Sequence, residues 1–291
     1  MIILDGIIIV NKEQGYTSND VVQIIKKKFN EKVGHTGTLD PMATGVLPIL
    51  IGKGTLLSKY LINHDKIYVA ILKLGIKTDT GDITGTILEE KNVKDECFQK
   101  ENVQKVLEGI MGEQEQIPPM YSAIKVNGKK LYEYARKGQK VDIKSRKINI
   151  YSTELLSIDK ENKEIEFRVS CSKGTYIRTL CEKIAERLKT VGTMSYLNRE
   201  KVGDFEIKQA VKINELLENF DIKKLISIEK FFEDKDKINL SARSYVAFFN
   251  GVKLLTDNKD GIYRIYNINN NFIGIGIVKN GILKRDVVIW I

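Results

Sequence analysis

The stretch GHTGTLDPMATGVLPI, residues 34–49, sets one carboxylate, Asp40, among mostly small side chains and then runs into an apolar segment. An aspartate in a turn ordinarily caps a helix or bonds its own backbone. Here Gly34, Gly37 and Gly45 permit unusual backbone angles and leave little bulk near the acid, so a large ligand can approach it. His35, on the same loop, is either a surface residue or a flat ring able to stack on a base. VLPILIG reads as a buried strand. Upstream, Ile7 to Val10 reads as another. A helix is expected from Thr17, with Asp20 as its capping-box partner and Val21, Val22, Ile24, Ile25 and Phe29 as its apolar face.

Further along, TLLSKYLI reads as a short helix, and IYVAILKLG, residues 67–75, as a strand leading to the polar loop KTDTGDITG. Residues 101–111 read as a helix. IEFRVSCS, residues 165–172, alternates, with Ile165, Phe167, Val169 and Cys171 on one face. SKGT breaks it, and Ile177, Leu180, Cys181, Ile184 and Leu188 then fall at helical spacing. Strands and helices mix without regular βαβ alternation, which implies an α+β fold. From about Asp234 the texture changes: GIYRIYNI, NFIGIGIV and RDVVIWI are separated by NNN and NG turns. The expectation is two domains, 1–233 and a small β-rich 234–291, divided at the charged stretch FFEDKDK.

The chain of 291 residues, 42% hydrophobic with 4 prolines, can bury a sizeable core. No run approaches the roughly 20 apolar residues a membrane helix needs. Asp5 and the lack of a basic lead argue against a signal peptide, so the expected location is the cytoplasm. Cys97, Cys171 and Cys181 lack CxxC spacing and, with only His35 and His64 besides, support neither a disulfide framework nor a zinc site. Neither a GxxxxGK[ST] nor a GxGxxG motif occurs. The single Asp79-Thr80-Gly81 lacks the second aspartate of a paired-carboxylate protease, and KTDTGD reads as a solvated turn.

The net charge is +9 and unevenly spread. Between Tyr121 and Ile150 stand nine basic residues, including Lys129 and Lys130, against Glu133 and Asp142, interleaved with Tyr121, Tyr132 and Tyr134. Cations with aromatics between them suit a phosphate backbone and unstacked bases, although a solvated lysine-rich surface has the same composition. Arg178 falls in the first turn of its helix, where the macrodipole disfavours a cation. Either it reaches solvent, or a carboxylate or phosphate sits opposite. Tyr176 points near the same mouth.

The segments GHTGTLDPMATGVLPI, KIYVAILKLGIKTDTGD, QIPPMYSAIKVNGKKLYEYARKG and SCSKGTYIRTL, in this order between Gly6 and Val202, resemble the bacterial tRNA pseudouridine-55 synthases of the TruB family. The C-terminal part resembles the PUA-type RNA-binding domain these proteins carry. The resemblance implies a mixed, largely antiparallel central sheet with flanking helices. It also implies conversion of one uridine in the T-arm loop of tRNA to pseudouridine, without cofactor or metal, by a monomer that requires no protein partner. Asp40 then matches the essential aspartate, and Arg178 its expected ion-pair partner. Tyr68 matches the tyrosine stacked on the target ring and is also a candidate catalytic group for removing the C5 proton, and Tyr176 stands near that ring. Leu197 matches the apolar residue packing on the uracil, His35 the residue filling the space left by the flipped base, and Lys12 the lysine of an NKP-like motif in which Glu13 replaces the usual proline. The basic 121–150 segment, with Lys129 and Lys130, is the expected clasp on the T-arm. A non-catalytic tRNA-binding or folding protein and a synthase of a guide-RNA particle are the competing readings. Whether Asp40 attacks the sugar or works through a glycal is left open.

Overall fold

The computed structural model describes residues 4–289. Strand β1 (Gly6–Lys12) is followed by helix α1 (Ser18–Phe29), which opens with the expected capping box: Thr17 and Asp20 satisfy each other's backbone N–H. Next come β2 (Thr44–Ile51), β3 (Lys66–Leu74), α2 (Lys100–Gly109) and β4 (Gly112–Gln116). A two-stranded hairpin, Lys125–Val126 with Lys129–Lys130, leads into the short α3 (Leu131–Ala135). Then follow β5 (Arg146–Asp159), β6 (Glu164–Cys171), α4 (Ile177–Arg187) and β7 (Gly192–Val202).

These strands belong to a ten-stranded sheet in which eight follow the spatial order Ile226–Ser227, β1, β2, β7, β3, β6, β5, β4, while Val33–His35 pairs with β2 and Phe205–Glu206 with β7 off that path. Every pairing is antiparallel except a short parallel step, Asn198 with Thr44 and Arg199 with Gly45. At that step Gly45 has φ of 107°, and a Cβ there would lie 2.3 Å from the Arg199 carbonyl oxygen. Only glycine lets the two strands close at the point where the Asp40 loop rejoins the sheet. The larger core lies on one sheet face, and a second cluster built on Ile7, Ile9, Val46 and Leu50 covers the other face of β1 and β2. Ile165, Phe167, Val169 and Cys171 are fully buried in the larger core, and α4 lays Leu180, Cys181 and Ile184 over the sheet. This is the alternation read from the sequence, turned into burial.

Several elements escape sequence reading, among them β4, the Lys125–Lys130 hairpin and α3. The half-exposed β5 mixes polar and apolar side chains, and β7 carries register shifts between Met194 and Tyr196 and between Arg199 and Lys201 that break a two-residue period. Helix α5 (Ala242–Phe249) lies inside the part expected to be β-rich. TLLSKYLI is also not one helix: a 3₁₀ segment, Gly52–Leu57, precedes a single turn, Ser58–Leu61, because the Lys53 N–H is held by Asp5 at 2.7 Å and two glycines weaken an α start.

A second, five-stranded sheet opens with β8 (Lys237–Asn239) and contains β9 (Gly261–Tyr266), β10 (Phe272–Lys279) and β11 (Ile282–Val288). The β10–β11 turn uses Asn280 and Gly281, both with positive φ, as the NG signal requires. Ile275 and Val287 pack with Leu57, Leu61 and Phe232, and Asp286 is held by Lys59 and Tyr60, so the second sheet is joined to the first by both an apolar seam and an ion pair. The last two residues of RDVVIWI lie outside the described residues.

Candidate active site

Asp40 stands on the loop between a short strand, Val33–His35, and β2, in a turn closed by the Ala43 N–H on its own carbonyl. Arg178, in the first turn of α4, meets it: Nε lies 3.1 Å from one carboxylate oxygen and Nη2 donates to the other at 3.4 Å. The side chain of Arg178 is 5% exposed, that of Asp40 34%. The guanidinium is fixed on all sides. Nη1 donates to the Thr80 carbonyl and Nη2 to the Tyr121 carbonyl, each at 2.8 Å, and Asp82 lies 3.7 Å from Nη1. A cation at a helix N-terminus, unfavourable on its own, is thus held by two carboxylates and two carbonyls.

Asp82 corrects one expectation. The KTDTGD turn is exposed at Asp79, but Asp82 is 5% exposed and accepts from the Thr80 and Thr84 hydroxyls. It is packed under the arginine and is not a solvated tip.

A cavity of about 490 Å³ opens above Asp40. Tyr68, Leu197, Tyr176 and Arg178 line it together with Lys66 and Arg199. Tyr68 is 8% exposed and sits directly opposite Arg199 in the β3–β7 register, while Leu197 sits opposite Ala70. One face of β3 and β7 therefore supplies an aromatic and an aliphatic side chain to the same cavity.

Burial pushes the Asp40 carboxyl above the usual carboxylate range, with Asp82 adding to the rise and Arg178 and Lys12 pulling it back. Burial likewise raises the Tyr68 phenol, against the pull of Arg199.

Lys12 does not line this cavity. It is fully buried, and its ammonium donates to the Glu13, Tyr16 and Pro41 carbonyls at 3.0, 2.6 and 3.3 Å. With its three donors on carbonyls it ties β1 to the residue after Asp40, and the structure does not bring it to the cavity as the expected substrate contact. Burial lowers its pKa to about 8. His35 is half-buried beside the lining, with a lowered pKa and a buried Nδ1 lacking a partner. Lys129 and Lys130 are on the hairpin, outside the cavity. Lys129 is exposed, and Lys130 donates to the Tyr132 hydroxyl at 3.2 Å. From the same basic segment, Lys125 and Arg146 do reach the lining.

Two lining cations went unforeseen. Lys66 is two residues before Tyr68 and Arg199 two after Leu197, so the two-residue period of a strand was the available signal. Among the described residues no cluster of three or more His, Cys, Asp or Glu side chains could hold a metal, the three cysteines are free and buried, and no helix is long and apolar enough to cross a membrane.

Residues 24–177 match the family profile of the TruB family pseudouridylate synthase N-terminal domain, and residues 237–289 that of the pseudouridine synthase II TruB C-terminal region. The chain is 42% identical over 284 residues to a tRNA pseudouridine synthase B of Clostridium kluyveri, covering 95% of this chain and 96% of the relative. It is 42% identical to that of Francisella philomiragia, covering 96% and 92%. A solved structure of a Cbf5-Nop10-Gar1 complex superposes with a TM-score of 0.68 at 26% identity, over 94% of this chain and 78% of that one. With an aspartate–arginine pair under a cavity walled by Tyr68 and Leu197, and with likeness running through both sheets, the chain belongs to the TruB family of pseudouridylate synthases.

Proposed function

We propose that this synthase converts a uridine in the T-arm loop of tRNA to pseudouridine, with Asp40 as the group that acts on the ribose of the everted nucleotide. The observation that carries the reading is the Asp40–Arg178 pair, its arginine buried and its acid open to a cavity with an aromatic and an aliphatic wall. A base in a stacked loop cannot be cut and turned in place, so it is extruded at a cost of a few kcal/mol. Stacking on Tyr68 offsets about 1–3 kcal/mol of that. Breaking the bond from N1 to the sugar leaves positive character at C1′, which the Asp40 carboxylate stabilises or attacks. Arg178 keeps the carboxylate ionised and aimed. Leu197 helps exclude water, which would otherwise trap the opened sugar. The detached ring turns, and C5 bonds to C1′. The C5 proton then leaves, restoring the C5–C6 double bond, and N1 takes up a proton.

The enzyme works as a monomer in the cytoplasm, with residues 234–291 adding RNA contacts. The identity to curated tRNA enzymes, 42%, against 26% to the chain from a multi-protein complex, favours bare tRNA over a guide-RNA particle as the substrate. The test is tritium release from tRNA transcript carrying 5-tritiated uridine, comparing wild type with Asp40→Asn. Release by wild type alone, with tRNA affinity retained by the variant, supports the reading. No release by wild type leaves a tRNA-binding protein.

A further inference from the structure

The cavity is electrically lopsided. Lys66, Lys125, Arg146, Arg178 and Arg199 line it, and Asp40 is the one acidic lining side chain among the described residues. Arg178 is matched by Asp40 and Asp82. Arg199, 1% exposed, has no carboxylate partner among the described residues. Its Nε donates to the Val46 carbonyl at 2.8 Å and its Nη2 to the Gly37 carbonyl at 2.9 Å, with Tyr68 beside it.

Lys66 is odder still. It is 8% exposed, and its ammonium, with three donors, bonds the His64 carbonyl alone. Asp65, next in the chain, accepts from the Tyr151 hydroxyl at 3.1 Å and makes no ion pair with it. The other charged or titratable groups facing Lys66 are Arg199 on β7, Cys171 at the end of β6 and Lys173 beyond it. A buried ammonium with free donors on a cavity wall, short of carboxylates and close to a guanidinium, is a costly arrangement unless an anion arrives.

We infer that Lys66 is a phosphate-binding residue inside the cavity, taking a phosphodiester that flanks the everted uridine. The cavity holds more than a flat ring. The turn residue Gly174, also in the lining, has φ of 79° and nothing within 4 Å of where a Cβ would stand, leaving room for a nucleic-acid backbone. Asp40 and Lys66 thus address different parts of one nucleotide: the acid meets the sugar and the ammonium the adjoining phosphate. The inference rests on the proposed RNA substrate and adds a contact to it.

Lys66 also gives the contact a pH signature. Burial and Arg199 lower its pKa to about 8 in the free enzyme. A bound phosphate favours the charged form and raises it, so affinity holds below that pH and falls as pH rises through it.

The experiment uses a T-arm stem-loop and the full chain. Lys66→Met should weaken binding roughly tenfold, with the loss larger in KM than in kcat, and should lower the salt slope by about one. A methylphosphonate, placed in turn at each phosphodiester flanking the target uridine, should cost wild type a similar factor at one position and cost Lys66→Met nothing further there. Lys66→Arg should keep the affinity and remove its decline above about pH 8. The inference is overturned if folded Lys66→Met retains wild-type affinity and slope, if methylphosphonate losses add fully at both positions, or if the decline persists in Lys66→Arg. That last variant carries the test should Lys66→Met not fold. Tritium release by wild type separates the two levels: with release and no Lys66 effect this inference alone fails, and without release the functional reading fails first.

Discussion

Two walls of one cavity handle charge in opposite ways. On the α4 side, Arg178 meets two carboxylates and two carbonyls, and each of its partners lies within 3.7 Å. On the β3–β7 side, Lys66 and Arg199 are also buried, bond carbonyls, with Tyr68 beside Arg199, and have no carboxylate ion-pair partner among the described residues. The first wall is complete in the free protein, as preorganised electrostatics requires. The second lacks a counter-charge that a polyanion would bring. On the proposed function, the contrast assigns the first wall to chemistry and the second to the substrate's backbone.

The sharpest way to break this contrast is at the acid. Asp40→Asn should lower product formation by on the order of 10⁴-fold, with tRNA affinity within a few-fold of wild type. Comparable losses of affinity and rate would instead make the first wall a binding surface. Arg178→Met comes next. It leaves Asp40 and Asp82 facing each other without their shared cation, which should cost roughly 3 kcal/mol or more in urea unfolding and slow the reaction.

The pH dependence then separates Asp40's two neighbours by sign. In the proposed reaction Asp40 acts as its carboxylate, and its pKa is raised, so single-turnover rate should climb with pH through a limb above the ordinary aspartate value of about 3.9. Arg178 lowers that pKa and Asp82 raises it, so Arg178→Met should move the limb up and Asp82→Asn should move it down. Shifts of the same sign in both variants would contradict the geometry. The smallest effect is expected on the hairpin. Reversing Lys129 and Lys130 to Glu should weaken tRNA binding and reduce its salt slope, with the loss in Kd and KM. An unchanged slope would dismiss the clasp, and a loss confined to kcat would tie the hairpin to the first wall through the Tyr121 carbonyl on Arg178.

Legibility in the sequence followed local physics. The capping box of α1, the alternation of β6, the helical spacing of α4 and the NG turn were all readable, because each depends on neighbours a few residues apart. So were Asp40 and the anomaly of a cation at the start of α4, and the motif resemblance brought Tyr68 and Leu197 to the same place. The misses are non-local. Asp82 looked like a turn tip because the arginine it supports is far along the chain. Lys12 looked like a ligand contact because its three carbonyl partners cannot be seen in a motif.

What the sequence determined by itself was the locally patterned elements, among them α1, β6 and α4, and the single acid placed in a loop of small residues. Hydrophobic period and turn chemistry are written residue by residue. Only the tertiary structure decided which cations are paid with carboxylates and which wait unpaired. That depends on β7 passing between β2 and β3, which brings Arg199 against Tyr68, on α4 bringing Arg178 to Asp40, and on the burial of both guanidinium groups. Desolvation turns a basic residue into either half of an ion pair or an invitation to an anion, and it exists only once the sheets have closed.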